Sequence, residues 1–177
     1  MSAGSSPSLK RSNAPRRGAI KSVLVVDDSK LQRKILTLAL KRWGFDVFEA
    51  ASGQEALDLA TVQRPDLVLS DWMMPGMSGL ELCQRCREMD GEEYCYFILL
   101  TSKSEKEEVA RGLDSGADDF LTKPVDNNEL RARITAGERL VEMQRSMAQA
   151  NRALSDTLAE LQQLYDNIDS DLKEAKK

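Results

Sequence analysis

Residues 67–79 read LVLSDWMMPGMSG. The opening run, Leu67 to Leu69, is continuously apolar rather than alternating. That is the pattern of a strand covered on both faces, as in a parallel sheet between two helix layers. The run stops at a carboxylate, Asp71, and a Met-Met-Pro-Gly loop leads into a helical segment, SGLELCQRCREM (78–89). An isolated buried carboxylate is costly, so Asp71 is either paired or chemically employed.

The same strand–acid–turn–helix unit recurs on both sides. Upstream, SVLVVDD (22–28) reads as a first strand and SKLQRKILTLALKRWG (29–44) as a helix, with Ser29 as its N-cap and Gly44 as its stop. In that helix Leu31, Ile35, Leu38 and Trp43 fall at helical spacing and are expected to form its apolar stripe. FDVFEAA (45–51) is a second strand and SGQEALDLATVQ (52–63) a second helix opened by Ser52. Downstream, YFILLTS (96–102) is a strand and SEKEEVARGLDSG (104–116) a helix capped by Ser104. DDFLTKP (118–124) is a fifth strand, and from Asp126 the chain is helical again. With right-handed crossovers, β-α units of this kind give an open, doubly wound α/β sheet of five parallel strands. Such sheets bind ligands outside the carboxyl ends of their strands.

Those ends carry one chemistry. The first strand ends in Asp27 and Asp28, the third in Asp71, the fourth in Thr101 and Ser102, the fifth in Lys123. Carboxylates brought together repel, and they relieve the repulsion by binding protons or recruiting a cation. An all-oxygen site that retains waters suits Mg2+. A carboxylate can attack phosphorus to give an acyl phosphate, which makes Asp71 the candidate nucleophile. Lys123 would hold a phosphoryl oxygen as a point charge.

Composition narrows the alternatives. The 177-residue chain has 31% charged residues and a formal net charge of -4, which does not favour a general nucleic-acid binder. It contains no histidine, so it has no Ser-His-Asp triad, no His-ligated metal and no phosphohistidine of its own. No apolar run reaches the roughly 20 residues that span a bilayer, and no signal-peptide core is evident, so a cytoplasmic protein is expected. Cys83 and Cys86 form a C-x-x-C, but i and i+3 share one helix face, and the pair reads as core rather than as a redox or metal site. Residues 1–20, rich in Ser, Pro, Gly and Ala with Lys10, Arg11, Arg16 and Arg17, read as a disordered basic arm.

With VVDDS, DLVLSDWMMPGMSG, LLTS and GADDFLTKP in this order, the chain resembles the receiver domain of two-component response regulators, from about Lys21 to Arg133. The resemblance implies a flavodoxin-like sheet of order 2-1-3-4-5. It implies that Asp71 is the phosphoacceptor and that Asp27, Asp28, Asp71 and the Met73 carbonyl hold Mg2+. Thr101 would be the switch hydroxyl, with the small Ser102 leaving room for the phosphoryl group. Phe120 would be the switch aromatic and Lys123 the phosphate-binding lysine, followed by a cis peptide to Pro124. The phosphoryl donor would be a histidine kinase or a histidine phosphotransfer protein. The charged face carrying Glu105, Lys106, Glu107, Arg111, Asp118, Asp119 and Arg133 would change on phosphorylation, with Arg111, Asp118 and Arg133 as candidate dimer ion pairs.

The C-terminal segment from Glu129 has no proline, and as one helix it would extend roughly 75 Å. Leu140, Met143, Met147, Ala150 and Leu154 form a stripe that resumes at Leu158, Leu161, Tyr165, Ile168, Leu172 and Ala175. The steps alternate three and four, with one extra four between Leu154 and Leu158. That is a heptad seam with one stutter, and it predicts a parallel dimeric coiled coil. The expected organisation is therefore an arm (1–20), a receiver (21–137) and a coiled-coil linker (138–177). A truncation before an output domain is expected, since the DLKEAKK ending resembles the linker before PP2C-type serine phosphatase domains, and similar linkers precede diguanylate cyclase domains. The competing readings are a vestigial receiver acting as a coiled-coil scaffold, a stand-alone phosphorelay receiver, and a haloacid-dehalogenase-type phosphatase. The last wants a second acid two residues after the nucleophile, where Met73 stands.

Overall fold

The computed structural model describes residues 18–89, 94–102 and 116–175. Strands β1 (Ser22–Val26), β2 (Asp46–Ala50), β3 (Leu67–Asp71), β4 (Tyr96–Thr101) and β5 (Asp119–Thr122) form one parallel sheet in the order β2-β1-β3-β4-β5. The helices are α1 (Lys30–Arg42), α2 (Gly53–Gln63), α3 (Gly79–Glu88) and a long C-terminal α4 (Asn127–Ala175). This is the doubly wound, flavodoxin-like sheet expected above. Residues 1–17 of the expected arm lie outside the described residues, as do 103–115, which take in Ser104, Glu105, Lys106, Glu107, Arg111 and most of the expected fourth helix.

The continuous apolar runs behave as two-sided strands, since every residue of β3 and β4 is buried. On one face Val23, Val25, Leu69, Ile98 and Leu100 pack with Leu36 and Leu40 of α1 and Leu130, Ile134 and Val141 of α4. On the other, Leu24, Val26, Val68, Phe97 and Leu99 pack with Ala56 of α2 and Leu82 and Cys83 of α3. Among the described residues, each of the crossover helices α1, α2 and α3 starts on a serine cap: Ser29, Ser52 and Ser78 accept from the amides of Gln32, Glu55 and Glu81. Cys83 lies in this second cluster and Cys86 packs against it, and burial pushes their thiols up to about 12 and about 11.

Three expectations need correction. In α1 the inward stripe is Leu36, Thr37 and Leu40, with Trp43 packed against the core, whereas Leu31, Ile35 and Leu38 are exposed. The helix is apolar on more than one side, and periodicity alone does not say which side meets the sheet. The fold also begins before Lys21, because Ile20 is fully buried. Asp118, offered as a surface ion-pair residue, is instead an internal brace. It accepts from Arg87 at 2.7 Å and from the Phe97 amide at 2.7 Å, and Tyr94 also donates to it.

The last buried residue of α4 is Val141, four residues past the expected linker boundary. Beyond it Arg145 donates to the Ala19 carbonyl at 2.8 Å and pairs with Asp66. Burial opposes ionisation of Asp66, yet the Ser22 and Lys21 amides and the Arg145 guanidinium outweigh it and hold its carboxyl below the usual range. Asp66 directly precedes β3, so one side chain ties the starts of β1 and β3 to the root of the long helix. Gly137 sets how close that helix comes to the sheet, since a Cβ there would stand 2.6 Å from the Tyr96 ring. Gly137→Val is expected to destabilise the fold by about 2 kcal/mol, because overpacking against a buried ring exceeds any gain in helix propensity. A urea midpoint equal to that of the parent would refute the close approach. Among the described residues no helix is long and apolar enough to cross a membrane.

Candidate functional site

The parallel register delivers the predicted side chains to one edge. In β3 and β4 Asp71 lies opposite Leu100, and in β4 and β5 Thr101 lies opposite Thr122. Strands that end level in this way put Asp27 and Asp28 after β1, Asp71 at the end of β3, Thr101 at the end of β4 and Lys123 just past β5. One ligand oxygen from each of Asp27, Asp28 and Asp71 lies within 4.8 Å of the others. Asp27 is 1% exposed and Asp71 9%, while Asp28 is open to solvent.

Lys123 bridges the cluster. Its ammonium stands 2.9 Å from Asp27 Oδ2 and 2.8 Å from Asp71 Oδ1. Asp27 Oδ1 also accepts from the Ser29 amide at 2.8 Å, so each Asp27 oxygen already has one partner. Burial pushes the Asp71 carboxyl above its usual range. The Lys123 ammonium pulls against this, and the charges of Asp27 and Asp28 add to the rise. Burial also opposes charge on Lys123, but its bonds to Asp71 and Asp27 outweigh that and raise it.

The donor set fits a hard divalent cation. It offers only carboxylate oxygens, has an open side at Asp28 and carries more negative charge than Lys123 neutralises. Asp28 and Asp71 have the freest oxygens, with Asp27 contributing through a remaining lone pair or a water. Lys123→Met leaves Asp27 buried without its cation. It is expected to destabilise the chain by roughly 3 kcal/mol, the low end for a broken buried pair because the lysine is partly exposed. Urea denaturation with and without Mg2+ checks this, and added Mg2+ should recover part of the loss.

The loop after Asp71 is held from two sides. The Trp72 amide donates to the Leu100 carbonyl at 2.9 Å, and the Gly79 amide donates to the Trp72 carbonyl at 2.8 Å. A Cβ on Gly79 would lie 2.2 Å from the Asp71 carbonyl oxygen, so only glycine lets α3 start directly beneath the acid. Met73 is exposed between buried Trp72 and Met74. Across the strands, the Lys123 amide donates to the Thr101 carbonyl at 2.7 Å, and the Lys123–Pro124 bond is cis, as expected. Thr101 is buried and Ser102 follows it half-buried. Phe120, also half-buried, tilts against Trp72 with ring centroids 6.2 Å apart.

Two contributors went unread in the sequence. Arg33 of α1 donates to the carbonyls of Asp27 at 2.6 Å and Asp28 at 3.3 Å, bracing the acidic turn. Its signal was a cation in the first turn of a helix, where the dipole favours an acid. Trp72 follows Asp71 and packs its ring against Phe120, and only its position next to the acid hinted at a role. The seam residues of α4 are not part of this edge. Leu140 is half-buried at the root, and Met143, Met147, Leu154, Leu158, Leu161, Tyr165, Ile168 and Leu172 are exposed along the helix.

Comparison with known proteins supplies the family. Residues 23–135 match the family model of the response regulator receiver domain. The phosphate regulon transcriptional regulatory protein PhoB of Pseudomonas aeruginosa is 40% identical over 116 residues, 66% of this chain and 51% of its own. The transcriptional regulatory protein AfsQ1 of Streptomyces coelicolor is 44% identical over 115 residues, 65% of this chain and 50% of its own. The chain thus spans about half the length of the curated relatives it matches. The solved structure of a probable two-component system response regulator/GGDEF domain protein aligns with a TM-score of 0.63 at 32% identity, covering 69% of this chain and 50% of that one. A parallel sheet with an acidic trio and a bridging lysine at its carboxyl edge, inside a family match over residues 23–135, leaves one conclusion: this chain belongs to the response regulator receiver domain family of two-component signalling.

Proposed function

We propose that the chain accepts a phosphoryl group on Asp71 from a phosphohistidine of a histidine kinase or a histidine phosphotransfer protein, with Mg2+ bound beside it. The observation that carries this reading is the convergence of Asp27, Asp28 and Asp71 with Lys123 bridging Asp27 and Asp71. In the transfer, an Asp71 oxygen forms the new bond to phosphorus as the phosphorus–nitrogen bond breaks, and the departing imidazole keeps that electron pair. Asp28 and Asp71 would hold the cation, with Asp27 and the Met73 carbonyl as the further oxygen donors. When bound, Mg2+ neutralises charge on the phosphoryl oxygens. Lys123 leaves the Asp71 oxygen to grip a phosphoryl oxygen, Thr101 donates to another, and Phe120 follows beside Trp72. The exposed Leu31, Ile35 and Leu38 of α1, the helix that follows Asp28 in the chain, give a donor protein an apolar face to rest on.

The signal leaves through α4 in a homodimer. Counted at 100° per residue, the face of α4 that packs on the sheet and the seam from Leu140 to Leu154 point about 130° apart. A second helix therefore has clear approach to the seam. The coiled coil would lead to an output domain, a diguanylate cyclase or a PP2C-type serine phosphatase. The GGDEF-linked structure aligned above supports the first. The test is incubation with acetyl phosphate, with and without Mg2+. A Mg2+-dependent, hydroxylamine-labile phosphoryl group mapping to Asp71 is expected. A chain that stays unlabelled would leave the vestigial scaffold as the better reading.

A further inference from the structure

The distal part of α4 is apolar over a wider arc than one seam needs. Leu164 is 58% exposed, yet it lies outside the seam through Leu161, Tyr165, Ile168 and Leu172. A second path explains it. The three–four alternation that starts at Leu140 continues past Leu154 without a stutter through Thr157, Leu161, Leu164, Ile168, Asp171 and Ala175. Both paths use Leu154, Leu161, Ile168 and Ala175. In the layers between, they choose neighbouring residues: Thr157 or Leu158, Leu164 or Tyr165, Asp171 or Leu172.

The two paths have opposed costs. The stuttered path is apolar in every one of those layers, but its extra step unwinds the supercoil between Leu154 and Leu158. The uninterrupted path keeps the supercoil regular, but it brings Thr157 and Asp171 to the helix–helix contact. There each Asp171 is desolvated and repelled by its own copy.

We propose that in the dimer the distal half of α4 exchanges between these two registers and that the acidic site biases the choice. This rests on the coiled-coil reading above. Because half the layers keep their residue and half move to the next one, the seam centre shifts by about 50°, half the angle between consecutive residues. Each distal helix turns by that amount, a rotation that a domain attached beyond it would feel. The mechanical link is short. Arg145 grips the Ala19 carbonyl and Asp66, Asp66 directly precedes β3, and β3 ends at Asp71 five residues later.

Single cysteines read the register by disulfide cross-linking in the full chain. Burial keeps the native Cys83, Cys86 and Cys95 protonated, so the unsubstituted chain serves as the low background. Ile168→Cys, common to both paths, should cross-link in every condition. Tyr165→Cys should cross-link faster than Leu164→Cys, and adding Asp171→Leu should move their ratio by about tenfold toward Leu164→Cys, the effect of removing about 1.4 kcal/mol of core penalty. Mg2+ with beryllofluoride, a phosphoryl mimic, should move the ratio by about threefold in the chain without Asp171→Leu. No cross-link at Ile168→Cys would remove the dimer on which the inference rests. Cross-linking at Ile168→Cys with Leu164→Cys silent even beside Asp171→Leu would keep the dimer and overturn the second register. A ratio indifferent to beryllofluoride would overturn the bias from the acidic site.

Discussion

Asp71→Asn is expected to abolish acyl-phosphate formation and, in the same molecule, to raise the thermal stability of the metal-free protein at neutral pH. The first effect follows from removing the nucleophile. The amide has no carboxylate oxygen to attack phosphorus, and labelling by acetyl phosphate should fall by at least about 10³-fold, as losses of nucleophiles do elsewhere. The second follows from electrostatics. Burial, with Asp27 and Asp28 beside it, holds the Asp71 carboxyl above its usual range in the fold, despite Lys123. A carboxyl raised in the folded state favours folding only while it is protonated. That contribution is complete below the unfolded value of about 3.9 and is lost as pH rises through the folded value. At pH 7 ionised Asp71 is therefore a burden that asparagine lacks. Melting curves should put Asp71→Asn above the parent at pH 7 without metal, with the gap closing towards pH 3. Mg2+ should stabilise the parent, by about 1.4 kcal/mol at ten times its dissociation constant, and narrow the gap from the other side. An Asp71→Asn chain that melts below the parent at pH 7 would mean that the Lys123–Asp71 bond outweighs the repulsion.

This site was legible because its residues sit at strand ends, and strand ends in a parallel sheet converge whatever the details of packing. Asp27, Asp28, Asp71, Thr101 and Lys123 needed only the order of the apolar runs. What failed depended on choosing between faces or on pairing distant segments. Helix α1 satisfies the helical period both through Leu31, Ile35 and Leu38 and through Leu36, Leu40 and Trp43. Only the sheet beneath it selects the second set. The Asp66–Arg145–Ala19 clasp joins positions far apart in the chain, each unremarkable alone, so no local pattern announced it. Asp118 looked like one more surface acid beside Asp119. Its role appears only when β4 and β5 bring it to the Phe97 amide and α3 brings Arg87 across.

Leu161→Asp combined with Ile168→Asp should convert a dimer into a monomer without unfolding the receiver. Both residues are more than half exposed on a helix that has left the sheet after Val141, so the α/β core has no stake in them. In a parallel dimer, however, both lie in the seam under either register. Four carboxylates would then be placed at helix–helix contacts without partners, at a cost of roughly 5 kcal/mol, which weakens the dimer by more than about 10³-fold. Losing the partner should also lower helicity. Among the described residues, the part of α4 beyond Arg145 has no other apolar surface to lie on, and a solitary helix of roughly 30 residues with ordinary propensities is marginal in water. Light scattering should therefore report half the mass, and circular dichroism should lose signal at 222 nm. The acetyl phosphate reaction at Asp71, which needs only the carboxyl edge of the sheet, should persist. A parent chain that is already monomeric at tens of micromolar would end the coiled-coil reading directly. A double variant that stays dimeric would shift the interface to the receiver, where Arg133, now bonded to Asp119 of its own chain at 3.2 Å, is the first residue to exchange partners.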